Sequence, residues 1–101
     1  MTNQEWFIQG EVTEELVNLF DHGRHRNRVR RVLDRIQPHM AEFVRQGDFF
    51  MLQVYSSLSP VTIYRGFAKR NPTDKFRVTE AKKVALYRLV QSVEEETKTA
   101  R

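Results

Sequence analysis

PHMAEFVRQGDFFMLQVYSS, residues 38–57, is the stretch whose reading decides the fold. Its two halves differ in texture. In the first, Met40, Phe43 and Val44 stand at i, i+3 and i+4, the spacing of one helix face. Proline is accepted in a helix's first turn, where its missing N–H has no partner anyway. This half therefore predicts a helix over about 38–46, ended by Gly47. From Asp48 onward, Phe50, Leu52 and Val54 alternate with Phe49, Met51, Gln53 and Tyr55. That period of two predicts a strand, with the first set towards a core and Phe49, Met51 and Tyr55 outward.

Towards the C-terminus, Ser57 to Pro60 is turn chemistry. VTIYRGFAK, 61–69, predicts a second strand, in which Gly66 marks a bulge or a close backbone approach. Arg70 to Asp74 is a second turn, and Lys75 to Val78 a third short strand. A long helix follows over about 79–97, capped by Thr79 or Thr73. Its apolar arc, from Ala81 through Leu86 and Leu89 to Val93, is wide enough to wedge between a sheet and other helices. Lys82 and Lys83 near its start and Glu94 to Glu96 near its end both oppose the helix dipole. Free N–H groups beside two lysines would suit a phosphate.

Towards the N-terminus lies RHRNRVRRVLDRI, residues 24–36. Val29, Val32, Leu33 and Ile36 share one helix face. Arg24, Arg28, Arg31 and Arg35 form a second stripe roughly 120° around, by helical geometry. Before it, VTEELVNLF predicts a short helix over about 12–22, with Val12, Leu16, Leu19 and Phe20 inward. Glu11, Glu14 and Glu15 suit the positive end of its dipole, and His22-Gly23 reads as its stop. Trp6, Phe7 and Ile8 read as a short strand or as a hydrophobic latch on the core. The expected class is α+β in a single compact domain over 1–101. N-terminal helices precede an antiparallel hairpin or three-stranded meander and a long C-terminal helix.

The order helix, strands, lysine-bearing helix from residue 38 loosely resembles that of a double-stranded RNA-binding domain, and EAKKVALYRL (80–89) is the similar part. The glycine-flanked third strand and fuller lysine cluster of that family are missing, so membership does not follow.

Charge and chemistry bound the function. Seventeen Lys+Arg against thirteen Asp+Glu give net +4 in 101 residues, and the bases cluster at 24–35 and 65–83. The absence of cysteine excludes disulfides and thiolate chemistry and fits a reducing cytoplasm. Residues 1–15 do not read as a secretory signal, and no apolar run approaches membrane-spanning length. No phosphate loop, dinucleotide fingerprint, nucleophile elbow or zinc-protease motif occurs. His22 and His25 beside Asp21 lack a third ligand. The expectation is a protein that is not an enzyme and needs neither cofactor nor metal. Arginine outnumbers lysine in 24–36, which favours bidentate recognition of phosphate or carboxylate. Arg24, Arg28, Arg31 and Arg35 are therefore expected to contact a nucleic-acid backbone, DNA or RNA, or a nucleic-acid-bound complex. Lys82, Lys83, Lys69 and Arg70 would be secondary. The alternative is a small adaptor or inhibitor, of the kind phages and mobile elements carry, docking the same helix on an acidic protein surface. Phe49, Met51 and Tyr55, with Tyr64 and the bases Lys69, Arg70 and Arg77 beside them, would suit base stacking, unless the Trp6–Ile8 segment or a helix covers them.

Overall fold

In a computed structural model, which describes residues 3–58, 62–69 and 77–99, the chain forms seven elements. They are β1 (Asn3–Gln9), α1 (Val12–Val17), α2 (Gly23–Ile36), β2 (Pro38–Gln46), β3 (Phe49–Ser56), β4 (Ile63–Lys69) and α3 (Val78–Thr99). The class is α+β. The strands build one four-stranded antiparallel sheet in the order β1-β2-β3-β4.

Residues 38–46 are a strand, not the expected helix. Proline loses no ladder bond when it opens a strand, and Pro38 is the first residue of β2. Ahead of it Gln37 takes the left-handed conformation (φ 47°), and its N–H donates to the Leu33 carbonyl at 2.9 Å, which ends α2. In β2 the buried residues are Ala41 and Phe43. Met40 and Val44 point to the opposite face. The i, i+3, i+4 spacing arose because both faces of this strand are partly apolar. Phe43 aligns with Trp6 on one side and Leu52 on the other, and its ring lies 5.6 Å from that of Phe50. Gly47 (φ 60°) and Asp48 make the two-residue turn to β3. Glycine first with positive φ, followed by a residue without it, is the II′ turn that suits the strand twist.

The Trp6–Ile8 segment is part of β1, paired along its length with β2. The first helix is shorter than expected, ending at Val17, although Leu19 and Phe20 still pack on the core. His22-Gly23 begins α2 where a stop was expected: the His22 Nδ1 accepts the Arg24 N–H at 3.3 Å as an N-cap. The far end of α2 is pinned to β3 by serines. Ser56 Oγ donates to the Ile36 carbonyl at 2.7 Å, and Ser57 Oγ to that of Gln37 at 2.7 Å. Of the expected third strand, Lys75 and Phe76 lie outside the described residues, while Val78 opens α3. The turn at 70–74, with Thr73, also lies outside them. Thr79 is inside α3, not its cap. Glu80 occupies the first turn, so Lys82 and Lys83 fall in the second. With residues 38–46 extended, the helix expected to open the order of a double-stranded RNA-binding domain is not at 38–46; a helix, three strands and the lysine-bearing helix follow one another from α2 instead.

Strand parity sends Trp6, Ile8, Ala41, Phe43, Phe50, Leu52, Val54, Tyr64 and Ala68 to one face. All of them belong to, or pack against, the cluster formed with Leu16, Leu33, Leu86 and Leu89. All three helices lie on that side. The α3 backbone reaches the sheet at Gly66, which is the close approach its sequence position suggested. A Cβ there would fall on the Ala85 carbonyl oxygen and lie 2.7 Å from the Leu89 nitrogen.

Candidate binding surfaces

The outward side of α2 divides its arginines by their neighbours. Arg26 closes the α1–α2 corner, donating to the Phe20 carbonyl and to Asn18 Oδ1, each at 3.1 Å. Arg30 pairs with Glu14, which holds its guanidinium above the ordinary value. Arg28 is the most engaged. Its Nη2 donates to Glu94 Oε1 at 2.6 Å, its Nε to Oε2 at 3.1 Å, and its Nη1 to the Tyr87 hydroxyl at 2.9 Å. Its guanidinium also stands 4.9 Å from the Tyr87 ring centre. The Glu94 hydrogen bonds first, then that of Tyr87, raise its proton affinity further. The second residue of the expected rail is thus a bracket between α2 and α3. The acid at Glu94, unfavourable to the α3 dipole, is there to receive it.

Arg24 and Arg31 are exposed and make no side-chain hydrogen bond or ion pair among the described residues. Arg35 is exposed and engaged within the chain. These three keep the i, i+7, i+11 stripe, facing away from the sheet. The lysines of α3 do not form a free anion receptor. Lys82 lies over the Trp6 and Phe43 rings at 5.1 and 5.2 Å. Lys83 pairs with Glu80 at 3.8 Å. His25 packs against His22, Phe20 and Tyr87, with ring centres 5.7–6.5 Å apart. Among the described residues no group of three His, Asp or Glu side chains is placed to hold a metal.

The second surface is the other face of the sheet. The register lines up Glu5, Val44, Met51 and Phe67 in one row and Phe7, Glu42, Gln53 and Arg65 in the next. A third row is Gln9, Met40, Tyr55 and Ile63. No described helix covers them. Phe7 is 58% exposed, Phe49 55% and Phe67 51%. Solvated aromatics in such number are unusual for a face with no partner. A polar chain crosses the middle: Arg65 Nε donates to Gln53 Oε1 and Gln53 Nε2 to Glu42 Oε1, both at 2.8 Å. Lys69 lies over the Phe49 ring at 5.4 Å. Arg70 lies outside the described residues, and Arg77 is exposed ahead of α3. Tyr64 packs inward, not beside the outward aromatics. Phe7, read from the sequence as strand or latch, and Phe67 both join this outward face. Their signal was parity, since each stands one residue from an inward position, Trp6 and Ala68.

No described helix is long and apolar enough to cross a membrane. No family model, curated protein or solved structure matches this chain.

Proposed function

We propose that this is a non-catalytic binding protein that lays the outward side of α2 along a nucleic-acid backbone. The observation that carries the reading is the pair Arg24 and Arg31. They are exposed and unpaired among the described residues, on the same stripe as Arg35, in a helix whose other arginines are all spoken for. Unpaired guanidiniums on a rigid helix, in a chain of net +4, are preorganised for phosphate oxygens. The sheet face is a poorer seat for a polyanion. There Glu5 and Glu42 offset Arg65 and Lys69, and much of the remaining area is apolar.

The test is salt dependence. Each neutralised duplex phosphate contributes about 0.9 to the slope of log K against log salt. Two or three contacts from Arg24, Arg31 and Arg35 give a slope near −2 to −3. Arg24→Glu with Arg31→Glu is expected to flatten the slope by about two and to weaken all sequences alike, because backbone contacts position without specifying. Titration of labelled duplex DNA and RNA from low to physiological salt measures this. Absence of salt-sensitive binding by the wild type at about 50 mM salt overturns the reading. If the double variant instead loses an acidic protein partner, the stripe is a protein-docking surface.

A further inference from the structure

We propose that the open face of the sheet is a self-association surface, and that a second copy of this chain packs on it face to face. Three features favour this occupant. Among the described residues the face is apolar and aromatic but electrically balanced, Glu5 and Glu42 against Arg65 and Lys69, so neither an anionic nor a cationic partner is drawn to it. Its charges are also segregated. The acids Glu5 and Glu42 sit on β1 and β2, and the bases Arg65 and Lys69 on β4. A twofold axis along the strands, between β2 and β3, places β1 of one copy over β4 of the other. Such a pairing is isologous, with every contact made twice.

Each row of one copy then meets the same row of the other in reverse order. Arg65 comes over Phe7 of the second copy, a cation against an aromatic face. Gln53 meets Glu42, Val44 meets Met51, Met40 meets Tyr55, and Glu5 meets Phe67. No like charges oppose one another. The other in-plane twofold, across the strands, stacks β1 on β1 and β4 on β4, which brings acids near acids and bases near bases. The axis along the strands is therefore selected.

Size is the third feature. Four strands about 4.8 Å apart, of about seven residues at 3.3 Å each, give a footprint of roughly 20 by 25 Å. With side-chain relief, two such faces bury on the order of 1,000 Å² or more, about the threshold for a specific interface. Two sheets stacked at about 10 Å with nearly aligned strands would make a sandwich. This association does not depend on nucleic-acid binding, since the α2 stripe lies on the opposite side.

Sedimentation of the wild-type chain over about 1–100 µM, the range expected of an interface this size, reads the outcome. The expected result is a concentration-dependent shift from one chain to two. Phe67→Asp with Phe7→Asp should weaken association at least a hundredfold while the thermal melt stays cooperative, both side chains being more than half exposed. Met51→Cys provides a second readout in a chain without cysteine. The two Met51 positions lie about 11 Å apart by the sheet and strand spacings, too far for a disulfide, so a short bismaleimide should link two copies through Met51→Cys near the axis, but not through Arg31→Cys on α2. A chain that stays monomeric throughout overturns the proposal. So does a dimer that survives the double aspartate variant, or one that Arg31→Cys links as readily as Met51→Cys; both would place association at a sheet edge or on the helices.

Discussion

Gly66 and Arg28 are the two residues at which the helical layer is fixed to its surroundings. At Gly66 the spare volume is zero, because the α3 backbone occupies the space of a Cβ. Backbone cannot swing aside as a flexible side chain does, so Gly66→Ala must push α3 off the sheet along Ala85 and Leu89. The expected cost is about 3 kcal/mol or more, at the upper end for overpacking, read as a lower midpoint in denaturant unfolding. An unchanged midpoint would contradict the close contact. Arg28 holds α3 from the other side. Its side chain and that of Glu94 are 32% and 30% exposed, so solvent screening takes a share of the pair's strength. Arg28→Ala is expected to cost about 1–2 kcal/mol, the lower part of the range for charged hydrogen bonds. The sign with pH follows from the raised proton affinity of Arg28. A group held above its unfolded value contributes fully below that value and loses the contribution only on crossing it. For arginine that lies above about pH 12. The deficit of the variant is therefore expected to be equal at pH 7 and pH 9, and a deficit that shrinks between them would assign the effect to another group.

Among the elements, α2 was the most legible and β2 the least. The seam of α2 is a period of 3.6 with no competing pattern, and Val29, Val32, Leu33 and Ile36 are all buried as that period requires. Leu33→Ala is accordingly expected to cost about 2–5 kcal/mol, the range for a leucine deleted from a close-packed core. A melting temperature within error of the wild type would mean that α2 is not docked through this face. In β2 the apolar residues of both faces add up to a false helical spacing, and Pro38 fits either reading. The deciding information, pairing with β1 and β3, is non-local. α1 was overextended because Leu19 and Phe20 stay in the core after the helix has ended. The arginine stripe was legible as geometry but not as availability. Which guanidiniums are spent on Glu14, Glu94 and the Phe20 carbonyl depends on tertiary neighbours that no spacing records.

The whole molecule has two unlike sides. Among the described residues, one carries helices with the unpaired guanidiniums of Arg24 and Arg31, and the other is an uncovered, charge-balanced sheet rich in aromatics. Reading the sheet side from sequence required β1, because an edge strand adjoining β2 is what brings Phe7 onto the row of Glu42, Gln53 and Arg65. The way β1 joins the sheet also bears on the order of assembly. β2, β3 and β4 form a meander of successive neighbours, closed first by the tight turn at Gly47, whereas all of α1 and α2 separates β1 from its partner. Closing that long loop costs more chain entropy than a hairpin turn does. β1 is therefore expected to arrive after the meander and to leave it first, which faster hydrogen exchange at the β1 amides than at those of β3 would show. In molecules where it has detached, the N–H and C=O groups along β2 become an open edge, the template on which another chain can add a strand. Detachment of this one strand at the same time removes Phe7 and Glu5 from the outer face, so an opened molecule loses its half of a face-to-face contact until a β1 segment, its own or a second copy's, is back on β2.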